Sequence, residues 1–389
     1  MTTIPWRAAA EPLSIIRDEV GPSYERLRPA RARATTASFP VYHDLVATMA
    51  KQGLSHPDET VAHVLATCAG YAYSDAGTVA MMMTRLGLEH SLCREITRAV
   101  DAMLIRATAH VVQSRDGRVA IVAFRGTPPL DIVSWLLDAD VSPERVAIAA
   151  DGAGPDVEYD VHAGFYRNVR IIRHEVVHAL QQALHGEPVI GATTDSTFSH
   201  VGTDTVEVDT GAQQSPLQSL YITGHSLGGA MAVLFATMLV MSEDPERQAI
   251  AGKLSGVYTF GQPMVAGKAF AEYAAGRLAD AEVPLLRYVY KRDPVPKLPP
   301  GNVGDFAHFG DEYRLRSGAW APSAPSGQMP VASGLLTAFA SFGLAKFLPL
   351  RDLPFQYKIE DHFPHHYVTS LIPEGKTDEF GDHTMRLPH

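Results

Sequence analysis

The sequence predicts an α/β fold with a mostly parallel central sheet flanked by helices. Three observations carry that prediction. β-rich runs alternate with helical runs through the middle of the chain, the order that winds a parallel sheet. A composition of 46% hydrophobic and 20% charged residues over 389 positions suits a soluble chain with a large core. One strand-to-helix junction, TGHSLGGA from Thr223 to Ala230, is rich in glycine, as a sharp turn between the two elements requires.

The elements follow in order. Residues 1–50, with the basic stretch RLRPARAR at Arg26–Arg33, are expected to form an N-terminal arm, and residues 51–389 a single domain. Apolar residues recur at helical spacing from Asp58 to Tyr73. Cys68 falls inside that pattern and reads as a buried thiol rather than half of a bridge to Cys93, the other cysteine. His110–Phe124 is two β-rich runs around Asp116-Gly117, a hairpin signal. Asp156–His162 reads as a strand and Phe165–Leu184 as a helix whose buried stripe is Phe165, Val169, Ile172, Val176 and Ala183. The polar stretch 186–217 reads as a surface insertion. Strand Gln218–Gly224 then runs into helix Leu227–Met241, strand Ser255–Gly261 into a helix near Ala266–Leu278, and strand Leu285–Tyr290 into the proline-rich RDPVPKLPP. In sheets of this kind functional groups gather at the carboxyl ends of the strands.

A formal net charge of −10 argues against nucleic acid as a partner and against simple electrostatic docking on anionic lipid. The first twenty residues lack an apolar signal core, so a cytoplasmic location is expected.

Two motifs compete for the chemistry. His174, Glu175 and His178 fit H-E-x-x-H, a zinc peptidase signature. Helical spacing turns both histidines away from the buried stripe, and the extended form of the motif fails because Gln181 and Leu184 stand where a glycine and a third histidine belong. Solvated histidines on a helix face are the expectation, with no metal. The second motif, Gly224-His225-Ser226-Leu227-Gly228, fits G-x-S-x-G in the strand-turn-helix setting that makes a nucleophile elbow. A serine hydroxyl attacks only when a base takes its proton and an acid orients that base. Asp293, at the end of a strand and beside prolines, is the leading acid, with Asp305 and Asp311 as rivals. His308, His362, His365 and His366 are candidate bases.

With Ser226 and Asp293 in place, the chain resembles the class 3 lipases, from about Cys68 to Leu371. The resemblance rests on ordered blocks: VAFRGT (Val122–Thr127), VHAGF (Val161–Phe165), TGHSLGGA, YTFGQPMV (Tyr258–Val265), RDPVPKLPP and Asp361-His362 followed by Tyr367. It implies an α/β-hydrolase fold, a triad of Ser226, Asp293 and His362, and an oxyanion hole from Thr127 and Leu227. It also implies hydrolysis of lipid esters through an acyl-enzyme with no cofactor. A triacylglycerol lipase or esterase is the first expectation; a phospholipase A1 or a mono- or diacylglycerol esterase is the alternative. A catalytically silent relative that binds lipids or partners is the reading from another class. Contact with a lipid interface is expected to be transient, with no membrane span. The chain departs from the compact members of the family in its insertion at 186–217. Pro128–Asp140 occupies the place of their lid, and the apolar segment 326–350 is expected to line or cover an acyl pocket.

Overall fold

The computed structural model describes residues 39–51, 58–100, 105–127, 143–148, 157–190, 214–301, 304–329, 359–374, 376–378 and 381–382. Pro128–Asp140, most of the 186–217 insertion, residues 330–350 and residues 1–38 of the expected arm lie outside them. The chain divides into two units, one of Val41–Leu371 and one of Met1–Pro40 with Ile372–His389. In the smaller unit a short antiparallel ladder pairs Thr377–Asp378 with Gly381–Asp382.

In the larger unit the order is α1 (Leu45–Met49), α2 (Glu59–Tyr71), α3 (Ala76–Leu86), β1 (Leu92–Val100), β2 (Ile105–Gln113), β3 (Val119–Phe124), β4 (Pro143–Ile148), β5 (Val157–His162) and α4 (Ala163–Leu184). There follow β6 (Ser219–His225), α5 (Leu227–Val240), α6 (Pro245–Ala251), β7 (Leu254–Phe260), β8 (Ala266–Gly267), α7 (Lys268–Asp280) and β9 (Leu285–Val289). The last are β10 (Phe306–Ala307), β11 (Asp311–Arg316), β12 (Ala319–Ser323) and α8 (Pro364–Leu371). Aspartates start three of these helices: Asp58, Asp75 and Asp244 accept the backbone N–H of Val61, Thr78 and Arg247.

Eight strands form the main sheet in the order β1-β2-β3-β6-β7-β9-β11-β12. β3, β6, β7, β9 and β11 run parallel, and antiparallel pairs close both edges. The expected hairpin is β2–β3, with Ala109 opposite Phe124. A second, small antiparallel sheet has the order β10-β8-β5-β4.

Strand alternation sends side chains to both faces of the main sheet. On β6, Leu220 and Ile222 join the core with α4, α5 and α7. Tyr221 and Thr223 reach the other way, to the carbonyls of Met49 and Leu65. α5 is buried almost all round, as a helix enclosed between the sheet and other helices must be. The predicted stripe of α4 is fully buried. The two cysteines are free thiols, and burial pushes Cys68 up to about 12. Gly186 and Gln214 come together at the base of the insertion, where a Cβ on Gly186 would lie 2.6 Å from the Gln214 carbonyl oxygen. Among the described residues no helix is long and apolar enough to cross a membrane.

Candidate active site

Ser226 stands between β6 and α5 with φ 59° and ψ −128°, a strained conformation for a residue with a side chain. The turn holds because the chain around it is tied down and because glycines let its limbs touch. The Ser226 N–H donates to the Phe260 carbonyl at 2.9 Å, and the Ser226 carbonyl accepts from Gly229 and Ala230 as α5 begins. A Cβ on Gly224 would lie 2.3 Å from Gly228, and one on Gly228 would lie 2.1 Å from the Phe124 carbonyl oxygen, so neither position has room for another residue. Leu227 is the first residue of α5, where a backbone N–H has no intrahelical acceptor.

Asp293 follows β9 and is 1% exposed. Its carboxylate takes three donors: Val295 N–H on Oδ1 at 2.8 Å, and His362 Nδ1 at 2.8 Å with Tyr367 Oη on Oδ2. Burial, then the Asp293 carboxylate, push the Tyr367 phenol well above its ordinary range, which keeps it a donor. Since a carboxylate only accepts, the bond fixes the proton of neutral His362 on Nδ1 and leaves Nε2 as the basic nitrogen. That Nε2 is buried and has no hydrogen-bond partner among the described residues.

Two further contacts draw His362 to the elbow. Buried Gly261, next to Phe260, backs onto both groups: a Cβ there would fall 2.8 Å from Asp293 Oδ2 and 2.9 Å from His362 Nδ1. His225, the residue before Ser226, donates from Nε2 to the His362 carbonyl at 2.6 Å, and their rings are 4.6 Å apart. His225 Nδ1 accepts from Tyr73 Oη at 2.9 Å. Burial, then His362, hold His225 well below its ordinary range, so it sits in the neutral Nε2–H form.

The rival groups are elsewhere. Asp305 and Asp311 are exposed. His308 Nε2 donates to the Pro296 carbonyl, His366 stacks on Tyr290, and His365 lies against His366. Thr127 continues from β3 past Gly126, where a Cβ would fall 2.6 Å from the His225 carbonyl oxygen, so this segment passes beside the elbow. Ser226 is buried, at 3% exposure. The other motif is dispersed: His174 and His178 are exposed on α4, and Glu175 accepts from Arg98 Nε at 2.6 Å. Among the described residues no three histidines, cysteines or carboxylates could hold a metal ion.

Sequence reasoning singled out Tyr367 but missed Tyr73 and His225. His225 stood in view as the variable position of the elbow. Tyr73 is 152 residues away from it, and nothing local marks it.

Residues 121–303 match the class 3 lipase family. The chain carries a class 3 lipase domain. A lipase of Rhizomucor miehei is 34% identical over 258 residues, 66% of this chain and 57% of that protein. A protein named triacylglycerol lipase OBL1, from Ricinus communis, is 29% identical over 224 residues, 54% of this chain and 40% of its own length. The chain thus spans about half the length of the curated relatives it matches. The crystal structure of a lipase from Rhizopus microsporus var. chinensis shares the fold at 20% identity with a TM-score of 0.50, over 88% of this chain and 98% of that one. The lipase domain so matched runs from β3, through the elbow and Asp293, to the loop after β9; His362 lies beyond it.

Proposed function

We propose that this chain is a serine carboxylic-ester hydrolase acting on lipid esters, with triacylglycerols as the first substrate class, through an acyl-enzyme. The observation that carries the reading is the bond from His362 Nδ1 to buried Asp293, which leaves Nε2 free to take a proton, on a residue whose carbonyl is bonded by His225, the neighbour of Ser226 in the strained elbow. The names of the Rhizomucor and Ricinus relatives support the same class.

In the proposed reaction His362 Nε2 takes the proton of Ser226 as Oγ attacks the ester carbonyl. Asp293 stabilises the imidazolium that forms. The backbone N–H groups of Thr127 and Leu227 receive the oxyanion, where fixed donors do most for the transition state. His362 then protonates the leaving alcohol, and water repeats the sequence to release the acid. No cofactor takes part.

Ser226→Ala tests the reading. It is expected to lower hydrolysis of p-nitrophenyl butyrate by more than about 10⁴-fold and to abolish labelling by an alkyl fluorophosphonate, with an unchanged circular dichroism spectrum. Retained turnover in that variant would overturn it. Rates on glycerides and phospholipids of graded chain length separate triacylglycerol from partial-glyceride and phospholipid substrates.

A further inference from the structure

Away from the elbow lies a cavity of about 220 Å³, partly open to solvent. Val177 of α4, Leu234 and Met238 of α5 and Phe270 of α7 give it an apolar lining, and Arg173 and Arg247 also face it. Ser226 caps one end of α5, and Met238 lies near the other, about 18 Å along at 1.5 Å per residue. The cavity therefore has no part in the proposed chemistry.

The arginines are what set this cavity apart from a packing defect. Among the described residues neither has a carboxylate partner: Arg173 Nε points at His174 Nε2 at 3.4 Å, and the nearby Glu246 carboxylate is taken by Gln181. Burial, then Arg170, and at longer range Arg247, hold Arg173 below its ordinary range, so these guanidinium groups repel one another across a partly dry site. Two guanidinium groups at the mouth of an apolar cavity attract an anion, and a guanidinium fork fits a carboxylate in two-point fashion. The volume limits the apolar part of such a ligand. Drug-sized molecules need roughly 300–1,000 Å³, so this space suits one alkyl chain and not a branched or polycyclic body.

We propose that this cavity is a second ligand site, which binds a fatty acid with its carboxylate on Arg173 and Arg247 and its chain between α4, α5 and α7. The inference stands on the cavity and its charges; hydrolysis at Ser226 is one source of the ligand.

Calorimetric titration of the full chain with decanoate and with decanol, below their aggregation limits, tests it. Decanoate is expected to bind with an arginine-dependent component that decanol lacks, and Arg173→Gln with Arg247→Gln to weaken that component by about tenfold or more. Val177→Trp, which fills the cavity without touching the charges, is expected to remove the same component. Turnover of p-nitrophenyl butyrate stays at the wild-type rate in both variants and reports separately on Ser226. Equal decanoate binding by wild type and the arginine variant, or equal affinity for decanol and decanoate in wild type, would overturn the site.

Discussion

His225 illustrates how a side chain with no part in bond making can govern one that has. Its Nε2–H holds the His362 carbonyl at 2.6 Å and its Nδ1 takes the Tyr73 hydroxyl, so the imidazole bridges α2's exit loop and the residue proposed as base. His225→Phe keeps a ring in the space but leaves a buried carbonyl and a buried phenol without partners, at about 1–3 kcal/mol each. Displacing a reacting group by an ångström costs up to about 10²-fold in rate, and a loss of that order is expected in kcat with KM little changed. Steady-state kinetics check it; an equal change in kcat and KM would point to damage beyond His362. Tyr367→Phe removes one of three donors to Asp293 and is expected to cost roughly tenfold in kcat/KM, less than His225→Phe, because two donors remain.

Strand β11 extends the parallel run by one position beyond β9, and the pairing is locked by charge as well as by the backbone. Arg287 stands opposite Glu312, and both side chains are buried, at 1% and 0% exposure. Glu312 also accepts from Arg314 and from the Ser326 N–H, while Arg287 Nε donates to the Phe309 carbonyl. Breaking a buried pair strands a charge, so Glu312→Gln is expected to destabilise the fold by about 3–5 kcal/mol, read as a fall in the urea midpoint. Arg287→Met with Glu312→Leu is expected to recover part of that loss, because the stranded Arg287 charge is gone while Arg314, the Ser326 N–H and the Phe309 carbonyl lose a partner. None of this was legible in the sequence. The alternation of β-rich and helical runs showed β5, β6, β7 and β9 with helices α4, α5 and α7, because each is long enough to print a period. β8 and β10 are two residues each and carry no period. β1 is an edge strand with Arg94, Glu95 and Arg98 along it, which hides its pattern. The elbow was legible because its glycines answer to local contacts. Choosing among His362, His365 and His366 needed the resemblance, since the distance to Asp293 bridges 69 residues of chain.

The molecule as a whole stores several histidines in neutral form, and that sets its behaviour in acid. Burial brings His63 down to about 4, and burial with the neighbouring His365 brings His366 to about 4, against an ordinary value near 6.5. Burial and the neighbouring His362 also hold His225 well below its ordinary range. Each of these sites is protonated in the unfolded chain well before it is in the folded one. Protons therefore favour the unfolded state, and stability is lost as pH falls from about 6.5 towards 4. A fully buried site such as His63 contributes up to about 1.4 kcal/mol per pH unit over that window, and half-buried His366 contributes less. Urea midpoints are accordingly expected to be flat from pH 8 to 7 and to fall steeply between pH 6 and 5. His63→Leu is expected to flatten the fall by close to one proton, although it gives up the bond from Tyr42 to His63 and lowers stability at pH 7. A slope unchanged by that substitution would show that carboxylates, not the enclosed imidazoles, govern acid unfolding of this fold.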